Sequence, residues 1–273
     1  MAYLTDARPL WRAAYNERRA LPAFNVCSLE MARGCIQAAA DTGAPILLQT
    51  YPTDLEQAGP AVFTALVRAL ANEVEVPVAL HLDHGRGLDL AVRCLRAGYS
   101  SVMFDGQGLP FAEVLEHTAR LAEVAHAAGA SLEVSAEGFG VPGAVNDLET
   151  TDPEQAAQLA AAGADLVACA VGSEHGRASR LDLDLLARIA EAVRGPLVLH
   201  GGSGIPADDL RAAARLGVVK VNVGSALYRA TLQTWRGIPD GTTHRAVYAS
   251  VREAVRAVAR DSILKLRAAE AQA

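Results

Sequence analysis

Short runs of apolar and β-branched residues recur along the chain, each followed by an alanine-rich stretch whose apolar positions fall at helical spacing. Eight runs can be named: Leu21–Val26, Pro45–Gln49, Val78–Leu82, Ser101–Phe104, Ser131–Ser135, Asp165–Ala170, Pro196–Leu199 and Val218–Val223. Apolar strands alternating with amphipathic helices predict a parallel sheet covered by helices. The helices include Leu88–Ala97, Phe111–Ala128, Pro153–Ala162, Leu183–Val193 and Ala207–Leu216. Gly98, Gly129, Gly163 and Gly217 stand where left-handed caps are expected, and Thr151-Asp152-Pro153-Glu154 opens a helix. Eight such units predict an α/β fold that closes on itself, a single (β/α)8 TIM barrel with a C-terminal helical extension.

A length of 273 residues suits one barrel domain spanning 1–273. Residues 1–20 read as a charged N-terminal helix. The stretch 138–149 is long and irregular for a strand-to-helix connection and reads as a mobile loop over the site. Residues 228–273 form a helical tail, with a helix over roughly Thr243–Ala271 that closes the barrel bottom or makes a subunit contact. A net charge of -6 without any Lys/Arg block excludes a broad nucleic-acid surface, so an anionic substrate has to be held by local donors. Cys27, Cys35, Cys94 and Cys169 form no C-x-x-C pair, which excludes a zinc knuckle or redox dithiol and points to the reducing cytoplasm. No apolar signal core or membrane-length run directs the chain to export or to a bilayer.

Active sites of such barrels form at the C-terminal ends of the strands, which makes the polar residues there informative. In order they are Asn25; Gln49 and Thr50; His81, Asp83 and His84; Asp105; Glu133 and Glu137; His175 and Gly176; His200, Gly201, Gly202 and Ser203; and Asn222, Gly224 and Ser225. His84, His175 and His200 end three separate strands, and three converging imidazoles make an open site for zinc. Each alone also reads as a hydrogen-bonded structural histidine. His117, His126 and His244 fall on helices and are expected in solvent, whereas His81 supports a ligand or packs. Asp83 is placed to move a proton to or from a substrate hydroxyl, or to orient a ligand histidine; Asp105 and Glu133 suit that second role better. The glycine-rich segments after strands seven and eight are either a phosphate cradle of backbone N–H groups or plain tight turns.

Taken together, AFNV at 23–26, HLDH at 81–84, GYSSVMFDG at 98–106, TDPEQA at 151–156, AVGSEHG at 170–176, LVLHGGSGIP at 197–206 and KVNVGSAL at 220–227 resemble the class II fructose-bisphosphate and tagatose-bisphosphate aldolase family. The resemblance implies metal-dependent cleavage of a phosphorylated ketose to dihydroxyacetone phosphate and an aldehyde. It implies His84, His175 and His200 as ligands of Zn2+, or of Co2+ or Mn2+, and Asp83 as the proton carrier, with Asn222 at the reacting end of the substrate. Gly176, Gly201, Ser203 and Ser225 are implied around the phosphate and a monovalent cation (Na+ or K+), and Asn25 and Thr50 near the substrate. A homodimer or homotetramer is expected.

The departures fall after strands five and six. LEVSAEGFGVPGAVND replaces the usual V-E-A-E-L-G, glycine pair and acidic pair: Glu133 matches the first glutamate, the second is replaced by Ser135 or displaced to Glu137, and Glu149 is the candidate loop acid. RASRLD follows His175-Gly176, so that Arg177 and Arg180 bring an anion contact or lie in solvent. Two rival readings follow: a metal-binding accessory subunit without efficient aldol cleavage, or an aldolase for another acidic ketose phosphate. A Schiff-base aldolase needs a lysine at the mouth, and the chain offers only Lys220, expected in the lower half of the barrel, and Lys265 in the tail.

Overall fold

The computed structural model describes residues 2–136, 150–173 and 178–267. In chain order the elements are α1 (Arg8–Asn16), β1 (Leu21–Asn25), α2 (Leu29–Thr42), β2 (Ile46–Thr50), α3 (Pro52–Ala71, broken at Gly59), β3 (Val78–Gly85), α4 (Leu88–Ala97), β4 (Ser101–Phe104), α5 (Phe111–Ala127), β5 (Ser131–Ser135), α6 (Pro153–Ala161), β6 (Leu166–Cys169), α7 (Leu183–Val193), β7 (Leu197–Leu199), α8 (Ala207–Arg215), β8 (Val218–Val223), α9 (Ser225–Arg236) and α10 (His244–Arg267). All eight strands are parallel and pair in sequence order, with β8 returning to β1 to close the barrel. Every predicted run forms one of them, and Gly98, Gly129, Gly163 and Gly217 all take the positive φ of a left-handed helix end.

Alternation divides each strand. Phe24, Leu48, Leu80, Leu82, Val102, Leu132, Val167, Leu197 and Val221 face outward into the layer shared with the helices. Leu21, Ala23, Leu47, Ala79, Met103, Leu166, Ala168 and Val198 face inward and fill the lower barrel. Higher inside, the same faces turn polar: His81, Ser101, Ser131, Glu133 and Lys220 are buried, and above them lie Asn25, Gln49, Asp83 and Asn222.

Two expectations for the termini are corrected. Residues 1–20 are not one helix, because Tyr3 bridges Val78 in extended backbone before α1 begins at Arg8. It is α1, not the C-terminal tail, that closes the barrel bottom: Trp11 is buried among the inward-facing residues, and its Nε1–H donates to Ser131 Oγ at 3.0 Å. The tail helix α10 lies outside the barrel along α2. Gly34 permits that approach, since a Cβ there would come within 2.7 Å of the Arg252 carbonyl oxygen. Arg256 forks onto Asp41 at 2.7 and 2.8 Å, and Arg267 donates to the carbonyls of Thr42 and Gly43. Among the described residues no helix is long and apolar enough to cross a membrane.

Trp11→Ala empties the floor of the barrel and leaves Ser131 Oγ without its donor, and a buried tryptophan lost this way costs about 3–5 kcal/mol. Denaturant unfolding is expected to show that loss; a change below about 1 kcal/mol would mean that α1 is not part of the core.

Candidate active site at the barrel mouth

An inward-facing residue on a strand is followed by an outward one, yet Asp83 and His84 both reach the mouth. The register explains it: Leu82 pairs with Val102 and Gly85 with Phe104, which leaves one extra residue on β3. The bulge sits at His84, a non-glycine residue at φ 50°. That conformation is strained for a residue with a Cβ, and it swings the imidazole over the barrel end, where the ring stacks on Tyr51 with centroids 5.5 Å apart.

Three amides clamp Asp83. Asn25 Nδ2 and Gln49 Nε2 donate to its Oδ2 at 2.8 and 3.0 Å, and Asn222 Nδ2 donates to Oδ1 at 3.1 Å. Burial by itself would raise the carboxyl pKa, but Lys220 and the imidazoles of His84, His200 and His81 outweigh it and hold Asp83 below the usual carboxylate range. Gln49 Nε2 also donates to Asn25 Oδ1 at 2.9 Å, so the clamp is tied to itself. Among the described residues, Gln49 Oε1 and Asn222 Oδ1 are buried acceptors without a hydrogen-bond partner.

The two histidines are oriented by carboxylates behind them. His84 Nδ1 lies 2.9 Å from Asp105 Oδ2, and His200 Nε2 lies 3.3 Å from Glu133 Oε1. An ionised carboxylate only accepts, so each of those nitrogens carries the proton and the opposite nitrogen keeps the lone pair. The rings are 4.8 Å apart, and one potential ligand atom each from Asp83, His84 and His200 falls within 4.8 Å of the others. This donor set fits a divalent ion: two imidazoles with protonated rear nitrogens, beside a carboxylate. His175, the third expected ligand, lies outside the described residues, as do Gly176, Arg177, Glu137 and Glu149.

Glu133 is fully buried, and it meets more than His200. Lys220 Nζ donates to its Oε1 at 3.1 Å and lies 2.8 Å from Oε2, while His81 Nε2 lies 3.5 Å from Oε2. Burial pushes the His81 pKa down to about 3, and Lys220 adds to that effect, so His81 is neutral and pairs through Nδ1 with Ser101 Oγ at 2.8 Å. Desolvation opposes the charge on Glu133, but Lys220, helped by the hydrogen bond from His200, prevails and holds it far below the ordinary glutamate value. Ser135 occupies the next inward position of β5, where a family glutamate was expected.

Several sequence expectations change here. Thr50, expected near the substrate, turns away from the mouth, and its hydroxyl pairs with Tyr99 at 2.9 Å in the outer layer. Gln49 takes the inward place on β2, and strand parity in AFNV and ILLQT could have signalled it. Lys220 starts low, its Cα beside Leu21, yet its ammonium reaches Glu133 just under the mouth. Neither lysine offers an amine to a substrate, because Lys265 lies on α10 and donates to the Ile205 carbonyl. Arg180 is mostly exposed and pairs with Asp209 at 3.2 Å. His117 packs on Phe104 with centroids 5.5 Å apart, whereas His126 is exposed, as expected, and bonds Asp165 at 2.8 Å.

Across the mouth from His84, the chain after β7 makes a tight 3-10 turn at Gly202–Gly204, and α9 begins at Ser225. A Cβ on Gly202 would strike Val221 Cγ1 at 2.2 Å, and one on Gly224 would meet Asn25 Oδ1 at 2.8 Å. Both glycines let the backbone close in beside Asn25 and Asn222. On the other side, Tyr51, Thr53, His84, Arg86, Leu90 and Gln107 help to line a cavity of about 530 Å³.

Comparison with known proteins agrees with this geometry. A family model described as class-II fructose-bisphosphate aldolase matches residues 5–271. The fructose-bisphosphate aldolases of Streptococcus pyogenes serotype M3 and Streptococcus pneumoniae serotype 4 are each 38% identical over 234 residues, covering 81% of this chain and 79% of theirs. Among solved structures, the YdjI aldolase from Escherichia coli K12 superposes with a TM-score of 0.86 at 28% identity, covering 96% of each chain. A putative fructose-1,6-biphosphate aldolase from Coccidioides immitis does so with a TM-score of 0.86 at 27% identity, covering 97% of this chain and 98% of its own.

His84→Gly and His84→Ala remove the same imidazole, but only glycine relaxes at φ 50°. The glycine variant is expected to be the more stable by about 1 kcal/mol in thermal or denaturant unfolding. Equal stabilities would show that the bulge carries no strain.

Proposed function

Because the chain belongs to the class II fructose-bisphosphate aldolase family, we propose that it reversibly cleaves a phosphorylated ketose, fructose 1,6-bisphosphate or tagatose 1,6-bisphosphate, to dihydroxyacetone phosphate and an aldehyde. The reaction class is that of an aldehyde-lyase. The observation that carries the reading is Asp83, a buried ionised carboxylate held by three amides between two histidines. His84 and His200, with His175, would hold the divalent ion, Zn2+ or else Co2+ or Mn2+. A bound divalent ion supplies a Lewis acid that stabilises the negative charge released as the carbon–carbon bond breaks.

This chain's residues supply the rest. Asp83 accepts the proton of the substrate's C4 hydroxyl during cleavage and returns it during condensation; its amide clamp fixes the oxygen that does so. Asn222 and Gln49 fix Asp83 from two further strands, so that the carboxylate keeps one orientation as the proton moves. Ser225 opens α9, whose first N–H groups have no intrahelical acceptor, and with Gly201, Gly202, Ser203, Gly224 and Gly176 they suit a phosphate with a monovalent cation beside it. Asp105 and Glu133 keep His84 and His200 in the required tautomers.

A second reading, the same cleavage of a different acidic ketose phosphate, rests on Ser135 standing where the family's second glutamate was expected.

The test pairs elemental metal analysis with condensation of dihydroxyacetone phosphate and glyceraldehyde 3-phosphate, before and after a chelator. About one metal per chain and chelator-sensitive product are expected, with Asp83→Ala lowering the rate by roughly 10²–10⁴-fold. Metal without product, for this aldehyde or a panel of acidic and neutral ones, would sink the aldolase reading and leave an accessory subunit.

A further inference from the structure

Lys220 is the feature that the proposed reaction leaves unused. A lysine with no exposed surface is rare and costly unless its charge is met, and this one reaches the barrel interior only through a fault in the strand that carries it. Leu197 pairs with Val218 and Val198 with Lys220, so Val219 is an extra residue on β8. Val219 packs with the inward-facing residues and Val218 and Val221 with the outward-facing ones. Without the bulge, alternation would carry Lys220 and Asn222 to the outside. The ammonium has a single anionic neighbour within ion-pair distance among the described residues, Glu133, at 2.8 Å from one oxygen and 3.1 Å from the other.

Glu133 stands between two imidazoles. Its Oε1 faces His200 Nε2 at 3.3 Å, and its Oε2 faces His81 Nε2 at 3.5 Å. We propose that Lys220 is a positioning residue for the cation site: its ammonium grips both oxygens of Glu133, keeps Oε1 on His200 Nε2, and so fixes His200 with its other nitrogen toward His84. The inference rests on the reading of His84 and His200 as ligands of a divalent ion. Remove the ammonium, and the carboxylate loses the contact that sets its rotation. It then turns toward His81, and His200 loses its rear acceptor. Lys220 touches neither ion nor substrate, and acts two contacts away.

The test uses Co2+ as the probe, titrated into metal-free protein and read from its visible absorption, which reports affinity and ligand geometry without turnover. Lys220→Met is expected to weaken Co2+ binding by about 10–100-fold and to shift the band, the size seen when a group orienting a ligand is lost. Lys220→Arg, which keeps a positive charge that can reach both oxygens of Glu133, is expected to restore most of the affinity. Because Lys220→Met strands Glu133 and can unfold the chain, Glu133→Gln and the double variant Lys220→Met/Glu133→Gln are measured alongside, with circular dichroism for folding. If Lys220 works through Glu133, the double variant binds no more weakly than the weaker single variant. A folded Lys220→Met that binds Co2+ within twofold of wild type, or a double variant that binds a further tenfold more weakly than the weaker single variant, would overturn the proposal. Wild type that binds no Co2+ would instead remove the metal reading itself, and this inference with it.

Discussion

A strand in a closed barrel shows only every second side chain to the interior, and this site depends on two departures from that rule. The bulge at His84 adds an imidazole to the rim directly after Asp83, and the bulge at Val219 brings Lys220 and Asn222 inward. Regular strands would have offered the mouth either Asp83 or His84, and would have turned Asn222 into the helical layer. Those extra residues complete the constellation without lengthening any loop. The supporting strands keep strict parity, which is why Asn25, Gln49, Glu133 and His200 can be found by counting along their strands.

The second constraint is electrostatic. The barrel interior passes from hydrocarbon at Trp11, through serine hydroxyls at Ser131 and Ser101, to charged and amide groups at Glu133 and Asp83. Two carboxylates so deeply buried would be neutral if left to burial alone. Lys220 favours the charge on both, as the direct partner of Glu133 and from farther off for Asp83, while three amide donors hold Asp83 in place. The ammonium is placed one layer lower, where it steadies Glu133 while staying back from the mouth.

How much of this could be read from the sequence follows from the same physics. The eight strands, the helix-ending glycines and the carboxylate–histidine set all sit in local patterns, and the structure places Asp83, His84 and His200 together as their strand ends suggested. Gln49 and Thr50 stand together at a strand end, and only strand parity tells which faces in: Gln49 meets Asp83, and Thr50 meets Tyr99. The reach of Lys220 was not legible, since a bulge is a difference between two strands and nothing in KVNVGS marks it. Which terminus forms the floor of the barrel is not legible for a similar reason: α1 and α10 are both amphipathic, and only tertiary packing decides which one faces the opening.

The packing of α10 on α2 bears on how the chain folds. The outer side of α2, with Gly34 at its centre, is covered by α10, and the Asp41–Arg256 pair joins residues 215 apart in sequence. Neighbouring βα units need only short loops closed before they gain contact, but this seam requires nearly the whole chain to be gathered first, at an entropic cost that grows with the logarithm of the span. The ring of helices therefore has one late joint. During synthesis the face of α2 stays bare until the tail emerges, so the last step of assembly and the longest exposure of apolar surface fall on the same pair of helices.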